Sequence, residues 1–421
     1  MIQTGNDHYP LAAFLLRILS PYPTIQREIF FIITWLMDGP FSIGYTFHQH
    51  SRSKQMSEMN RRSAIKQAAA LAAIPFGSFA FGQTPKKEEA PKPKEPAPYA
   101  DAKLVKGEPP AIAEKSFTIA VLPDTQHYSE KHPKTYLAQT QYILDQQKAR
   151  NIQAVLHLGD ITNRNTVAEW ENASAAMKKL DGHLPWFFCT GNHDYSEGGG
   201  CKDRTTRLND YFPAKMFRDR PTFGGTYDKE PDRMENSYSL FSVGGRDFMV
   251  LALEFGPRAD VIRWANTVVG KHPKREVILI THALIYFDET RYNWKKYGTK
   301  QSWNPHAYPI AKATNDDVTD GEELWDKLIS KHENFILTLN GHVLNDGLGR
   351  VTTTTPAGRD VPQVLVNFQM KPNGGDGWLR LLEFKADGRT VETWDYSPML
   401  KMRNESAQNR FTMTTAPVKL A

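Results

Sequence analysis

Residues 187–194 read Phe187-Phe188-Cys189-Thr190-Gly191-Asn192-His193-Asp194: an apolar run, a glycine, then an amide, an imidazole and a carboxylate. A short apolar run closed by a turn residue reads as a buried strand, here Trp186–Cys189. The same pattern recurs along the chain. Phe117–Leu122 leads into Pro123, Asp124 and Gln126, and Ile152–Leu158 into Gly159-Asp160. Val277–Ile280 leads into Thr281-His282, and Phe335–Leu339 into Gly341-His342. Phe248–Leu253 is a further strand. Thr135–Gln147, Trp170–Leu180, Val261–Val269 and Glu322–Ile329 carry apolar residues at helical spacing. Such alternation predicts an α/β sheet covered by helices. Val361–Asn367, Trp378–Lys385 and Thr390–Tyr396 are expected to follow as successive antiparallel strands, with no second domain.

Five strands therefore deliver polar residues to one edge, the carboxyl edge where α/β sheets bind ligands. A carboxylate can bridge two divalent cations, while imidazole and amide oxygen complete the shells without excess charge. Two cations about 3.5–4 Å apart can clamp a phosphoryl oxygen and activate a water. A histidine outside the shell can then protonate a leaving group. Taken singly, Asp124 also reads as a turn former and Asp160 as a helix cap.

The ordered set Asp124-x-Gln126, Gly159-Asp160, Gly191-Asn192-His193-Asp194, strand-then-His282 and Gly341-His342 closely resembles the calcineurin-like metallophosphoesterases over roughly residues 116–345. The resemblance implies a four-layer αββα sandwich of two mixed β-sheets flanked by helices. It implies that Asp124 and Gln126 hold a first metal, that Asp160 bridges, and that Asn192, His282 and His342 hold a second. It gives His193 the phosphate-contacting, leaving-group role and Asp194 the role of orienting His193. The implied activity is hydrolysis of phosphomonoesters or phosphodiesters by attack of a metal-bound hydroxide. The implied cofactors are two divalent ions (Mn, Fe or Zn), and the implied partner a small anionic phosphoester.

The chain departs from the pattern twice. The family's usual histidine is replaced by Gln126 in the first motif and by Leu344 in the last. Both losses fall on the first metal site, which is expected to be weaker, with His127, Asn345 and Asp346 as candidate substitutes. The alternative is a secreted binding or scaffolding module retaining one metal and no hydrolase activity.

Residues 56–83 contain Arg61-Arg62, an Ala/Leu stretch from Ala68 to Ile74, and small residues near Ala80 and Gly82. They resemble a twin-arginine (Tat) export signal, which implies the Tat machinery as a partner of the precursor and a periplasmic or extracellular destination. Translation is expected to begin at Met56 or Met59, leaving residues 1–55 a spurious or disordered extension. Residues 84–114 begin with alternating Pro, Lys and Glu and are expected to form a solvated linker, with the folded domain at residues 115–421.

Composition excludes other classes. The 421 residues carry 52 Lys+Arg against 47 Asp+Glu, a net charge of +5. Removing residues 1–83, with seven basic and four acidic residues, lowers this to +2, so no specific nucleic-acid binding is expected. No clean run of about 20 apolar residues implies an integral membrane domain in the mature chain. Two cysteines, Cys189 and Cys201, exclude a disulfide scaffold; they could pair after export, although Cys189 reads as a buried apolar residue.

Tyr286 to Tyr308 is rich in aromatics interleaved with Arg291, Lys295, Lys296 and Lys300. It reads either as a substrate-binding flap or as a loop packed onto the body by its rings. Gly374, Gly375 and Gly377 read as a tight turn into a strand, with a phosphate-approaching loop as the other reading, although no Lys follows in P-loop fashion. His157 reads as a core histidine or one that supports the site from behind, and His183, His272 and His332 as exposed ones.

Overall fold

The computed structural model describes residues 98–416. The expectations for residues 1–55, for the export signal at 56–83 and for residues 84–97 lie outside the described residues.

The first sheet contains β1 (Leu104–Lys106), β2 (Phe117–Leu122), β3 (Ile152–His157), β4 (Trp186–Phe188), β12 (Leu379–Phe384), β13 (Thr390–Ser397), β14 (Met402–Asn404) and β15 (Phe411–Thr414). Its order is β1-β14-β13-β12-β2-β3-β4, with β15 also on β13. The second contains β5 (Phe223–Thr226), β6 (Ser237–Val243), β7 (Arg246–Ala252), β8 (Glu276–Ile280), β9 (Phe335–Asn340), β10 (Leu348–Thr354) and β11 (Asp360–Val366), in the order β10-β11-β9-β8-β7-β6-β5. β2–β3–β4 and β7–β8–β9–β11 are parallel, and the flanking strands are antiparallel.

Strand alternation builds the layers. On β2, Ile119 and Val121 face the second sheet and pack with Val250, Ile278 and Ile280. Ala120 and Leu122 face outward, under α1 (Gln126–Lys131), α2 (Pro133–Gln146) and α3 (Val167–Met177), against Tyr136, Ile143 and Trp170. On the second sheet, Met249, Leu251 and Leu279 face outward to α4 (Ala259–Lys271) and α5 (Gly321–Lys327) through Val261, Trp264 and Leu324. The result is the four-layer αββα sandwich. Thr166 and Asp320 close capping boxes at the starts of α3 and α5.

Three expectations change. The C-terminal strands are not one antiparallel series: β11 joins the second sheet parallel to β9, while β12 and β13 cross to the first. The polar segment Gln369 to Gly377 between them makes the crossing, and strand periodicity carries no signal for a change of sheet.

The linker reading also ends too late. β1 pairs with β14, and the Tyr99 hydroxyl donates to Asp376 at 2.6 Å and accepts from the Trp378 indole at 2.9 Å. Glu108 accepts from Tyr142 and Arg150. His272 and His332 are half-buried rather than exposed.

Both cysteines are free and buried in different clusters, Cys189 between the sheets and Cys201 under the outer face of the second sheet. Among the described residues no helix is long and apolar enough to cross a membrane.

Candidate metal centre

Five parallel strands end at one place. The turn after β2 carries Asp124 and Gln126, and the turn after β3 carries Asp160. The loop after β4 carries Asn192 and His193. β8 and β9 of the other sheet deliver His282 and His342. All but His193 are buried, and His193 is half-exposed at the mouth.

Asp160 is the hub. Its Oδ2 accepts from Gln126 Nε2 at 3.0 Å and its Oδ1 from the His193 backbone N–H at 2.9 Å. His282 Nε2 lies 3.2 Å from Asp160 Oδ1 and 3.9 Å from Asp124 Oδ2. Ligand atoms of Asp160, His282 and His342 all lie within 4.8 Å of one another. Asp160 adopts a left-handed φ of 46°, and a Cβ on Gly191 would sit 2.1 Å from its Oδ1, so the approach requires glycine there.

The chain path fixes which ring nitrogens face inward. His282 Nδ1 lies 2.7 Å from the Leu158 carbonyl, which only accepts, so Nδ1 carries a proton and Nε2 is the nitrogen left facing the carboxylates, where a cation would take its lone pair. His342 Nε2 likewise donates to the Trp303 carbonyl at 2.8 Å, leaving Nδ1 for the site. Backbone carbonyls that orient imidazoles in this way are characteristic of metal-ligating histidines.

Three atoms here are buried without a hydrogen-bond partner: Gln126 Oε1, Asn192 Oδ1 and His282 Nε2. Unsatisfied buried acceptors cost on the order of 1–3 kcal/mol each. Together with Asp160 they form a donor set that suits divalent cations: carboxylate, amide oxygen and imidazole. The residues present therefore fit the metals that the fold implies.

Without cations the cluster is electrostatically tense. Burial pushes Asp124 up to about 8, opposed by His282 and reinforced by Asp160. Burial also disfavours the charge on Asp160, but His282 and His193 outweigh it and hold that carboxyl low. Burial pulls His282 down, yet Asp160 and Asp124 raise it to about 9. His342 is pulled down to about 3 by burial and then by His282.

The assigned roles divide. Asp124, Gln126, Asp160, Asn192, His282 and His342 come together as expected from their positions. The Asp194 carboxylate makes no hydrogen bond to the His193 ring. Its carboxylate accepts from the N–H groups of Ile161 (3.2 Å), Thr162 (2.8 Å) and Gly191 (2.9 Å), and from the Thr162 hydroxyl (2.9 Å). It clamps the two loops that carry Asp160 and Asn192. Burial and then Asp160 raise Asp194 to about 6. The His193 ring is oriented instead by the Asn163 carbonyl, 2.8 Å from Nδ1.

None of the candidate substitutes for the missing histidines belongs to the close cluster of Asp160, His282 and His342. Asn345 and Asp346 are exposed, and Asp346 accepts from the Leu348 N–H. The His127 Nδ1 lies 3.8 Å from Glu130. Sequence reasoning missed Asn367, whose Nδ2 donates to Asp124 Oδ2 at 3.1 Å beside two contacts from the His342 N–H. It lies directly after an apolar strand, like the residues of the recognised motifs. His157 is a buried support: Nδ1 accepts from the Gly159 N–H, so Nε2 donates to Thr125.

The family profile for calcineurin-like phosphoesterases matches residues 117–346. The uncharacterized protein YvnB of Bacillus subtilis (strain 168) is 30% identical over 305 residues, 69% of this chain and 21% of that one. The chain thus spans about a fifth of that relative's length. GAP50, the anchor in the inner membrane complex of Plasmodium, is similar over 72% of this chain and 90% of that one, with 12% identity and a TM-score of 0.39. The purple acid phosphatase PPD1 from yellow lupin (Lupinus luteus) seeds is similar over 71% of this chain and 54% of that one, with the same identity and TM-score. The matched profile runs from β2 through the loop after His342 and so contains the strand ends that carry Asp124, Asp160, Asn192, His282 and His342; the chain belongs to the calcineurin-like phosphoesterase family.

Proposed function

We propose that the chain is an exported, metal-dependent phosphoesterase acting on small anionic phosphomonoesters or phosphodiesters. The observation that carries this reading is the trio of buried, unpartnered atoms, Gln126 Oε1, Asn192 Oδ1 and His282 Nε2, on residues at the strand ends that also carry Asp160. In it, Asp160, Asn192, His282 and His342 hold one divalent cation, while Asp124, Gln126 and Asp160 hold the other. Bound cations would supply Lewis-acid activation of water and neutralise phosphoryl charge.

The first site then has oxygen donors alone, without imidazole, and is the more exchangeable of the two. His193 sits at the open side of the cluster with Nδ1 held by Asn163. Its Nε2 can place a proton on the departing ester oxygen. Export rests on the twin-arginine resemblance, and N-terminal sequencing of the native protein tests it.

The activity test is hydrolysis of an aryl phosphate ester with added Mn²⁺, Zn²⁺, Fe²⁺ or Co²⁺. Asp160→Ala and His193→Ala are expected to abolish turnover while the protein remains folded. Undiminished turnover in either folded variant overturns the roles. One tightly held metal with no turnover on mono- or diesters would favour the binding module, the reading that the ligand-free Leu344 position supports.

A further inference from the structure

Trp303 combines features with no evident structural purpose. Its backbone has φ +64°, a left-handed conformation that a bulky residue adopts only at a cost of about 1–3 kcal/mol. The residue is 39% exposed, and among the described residues it is the one exposed tryptophan or phenylalanine. A strained backbone that merely served packing would have a buried ring to show for it.

The strain is held in place from every side. The Tyr292 hydroxyl donates to the Ser302 carbonyl at 3.0 Å, and the Ser302 N–H donates to the Tyr286 hydroxyl at 3.3 Å. The Trp303 carbonyl accepts from His342 Nε2, and Asn304 Nδ2 donates to Asp320 at 3.2 Å. Three consecutive residues are thus pinned around a conformation that tryptophan disfavours. Such over-determination is how strain persists at functional positions.

The location is specific. Phe255, Tyr292 and Tyr308 surround the His342 imidazole, with ring centroids 5.2, 6.0 and 6.0 Å away. They pack it from within the fold. Trp303 touches the same imidazole through its carbonyl, and the residue is exposed. Of the two readings of the aromatic segment, Tyr286 and Tyr292 serve packing and are buried. Trp303 is exposed and is left over by the packing reading.

We propose that Trp303 is a stacking platform that selects phosphoesters bearing a flat aromatic ring, nucleobase or aryl, over alkyl phosphoesters. This rests on the phosphoesterase reading and names its substrate class. A base stacked on an aromatic side chain gains enough to change affinity by about 5- to 150-fold.

The experiment compares kcat/KM for adenosine 5′-monophosphate, phenyl phosphate and glycerol phosphate, and for the corresponding diesters, in wild type, Trp303→Gly and Trp303→Phe. Glycine adopts positive φ freely, so it removes the ring without adding strain. Comparing the aromatic-to-alkyl ratio between variants cancels intrinsic leaving-group reactivity. The ratio is expected to fall about 5- to 150-fold in Trp303→Gly and to be largely retained in Trp303→Phe. A fall for adenosine alone assigns the platform to nucleobases, and a fall for both rings to aromatics in general. An unchanged ratio, or equal losses on aromatic and alkyl esters, overturns the platform and leaves the phosphoesterase reading standing. No hydrolysis of any ester by the metal-loaded wild type removes that reading and this one with it.

Discussion

Replacing Asp194 by alanine removes one side chain that satisfies four donors. The N–H groups of Ile161, Thr162 and Gly191 lose their acceptor, as does the Thr162 hydroxyl. The hydroxyl can rotate to another acceptor, but the backbone donors cannot, and Asp194 is fully buried. At about 1–3 kcal/mol for each orphaned donor, the ceiling is roughly 3–9 kcal/mol. Water entering the vacated space and relief of a costly buried carboxylate reduce this to about 3–5 kcal/mol. Urea denaturation in chelator reads the loss without a contribution from bound metal. Asp194→Asn retains one acceptor oxygen and should lie between wild type and alanine. Any loss of turnover should be accompanied by lost metal retention, because the clamp joins the Asp160 and Asn192 loops. A destabilisation under about 1 kcal/mol would refute the clamp. So would a collapse of kcat at unchanged stability and metal content, which would return Asp194 to orienting His193.

Gly341→Ala would place a methyl 2.0 Å from Asp124 Oδ1, displacing that carboxylate; metal content is expected to fall while the second site's ligands remain, and unchanged stoichiometry after dialysis counts against the packing argument. His306 lies between Asp316 (2.7 Å) and Glu323 (2.9 Å), with Lys327 and Asp320 also facing Glu323. Burial lowers the His306 pKa, but Glu323 and Asp316 outweigh it and raise it to about 9, while Glu323, despite burial, is drawn down to about 2 by His306 and Lys327. The histidine's contribution is therefore complete below pH about 6.5 and lost as pH rises through about 9. Glu323's contribution is present above about 4.5 and lost as pH falls through about 2. Thermal melts should decline between pH 6.5 and 9, by about 1–2 kcal/mol after discounting for the exposed Asp316, and His306→Gln should flatten the decline; an unchanged slope refutes the pairing. Tyr99→Ala strands the Trp378 indole N–H and should cost about 1–3 kcal/mol in denaturant, whereas a solvated linker would show no change.

Most of the fold was legible because the buried parallel strands are apolar runs closed by turn residues, as in Phe117–Leu122 and Val277–Ile280. The strands that escaped notice are short or mixed. β1 is three residues, Leu104–Lys106, and acquires meaning only through β14, nearly 300 positions later. β6 and β10 carry serines and threonines on partly exposed faces, so no apolar run announces them. Tyr99 follows a Pro/Lys/Glu tract whose composition hides a single aromatic anchor. These are failures of local pattern where the deciding contact is distant.

At the site the limit was of another kind. Side-chain identity announced Asp124, Gln126, Asp160, Asn192, His193, His282 and His342, because each stands where an apolar strand stops. It could not announce what aims them, since that work is done largely by the main chain. The carbonyls of Leu158, Asn163 and Trp303 set which nitrogen of His282, His193 and His342 faces inward. The N–H groups of His342 and His193 hold Asp124 and Asp160. Every residue has a carbonyl and nearly every one an N–H, so composition and motif spacing are silent about which are used. The misassigned role of Asp194 follows from this. A carboxylate next to a catalytic-looking histidine suggested an Asp–His pair, but after a tight turn the nearest donors to Asp194 are backbone N–H groups, and the ring of His193 meets a carbonyl instead. The same argument identifies Trp303. Its carbonyl is one main-chain acceptor among many, yet the residue that offers it to His342 combines a φ of +64° with an exposed position, a pairing that motif spacing does not announce.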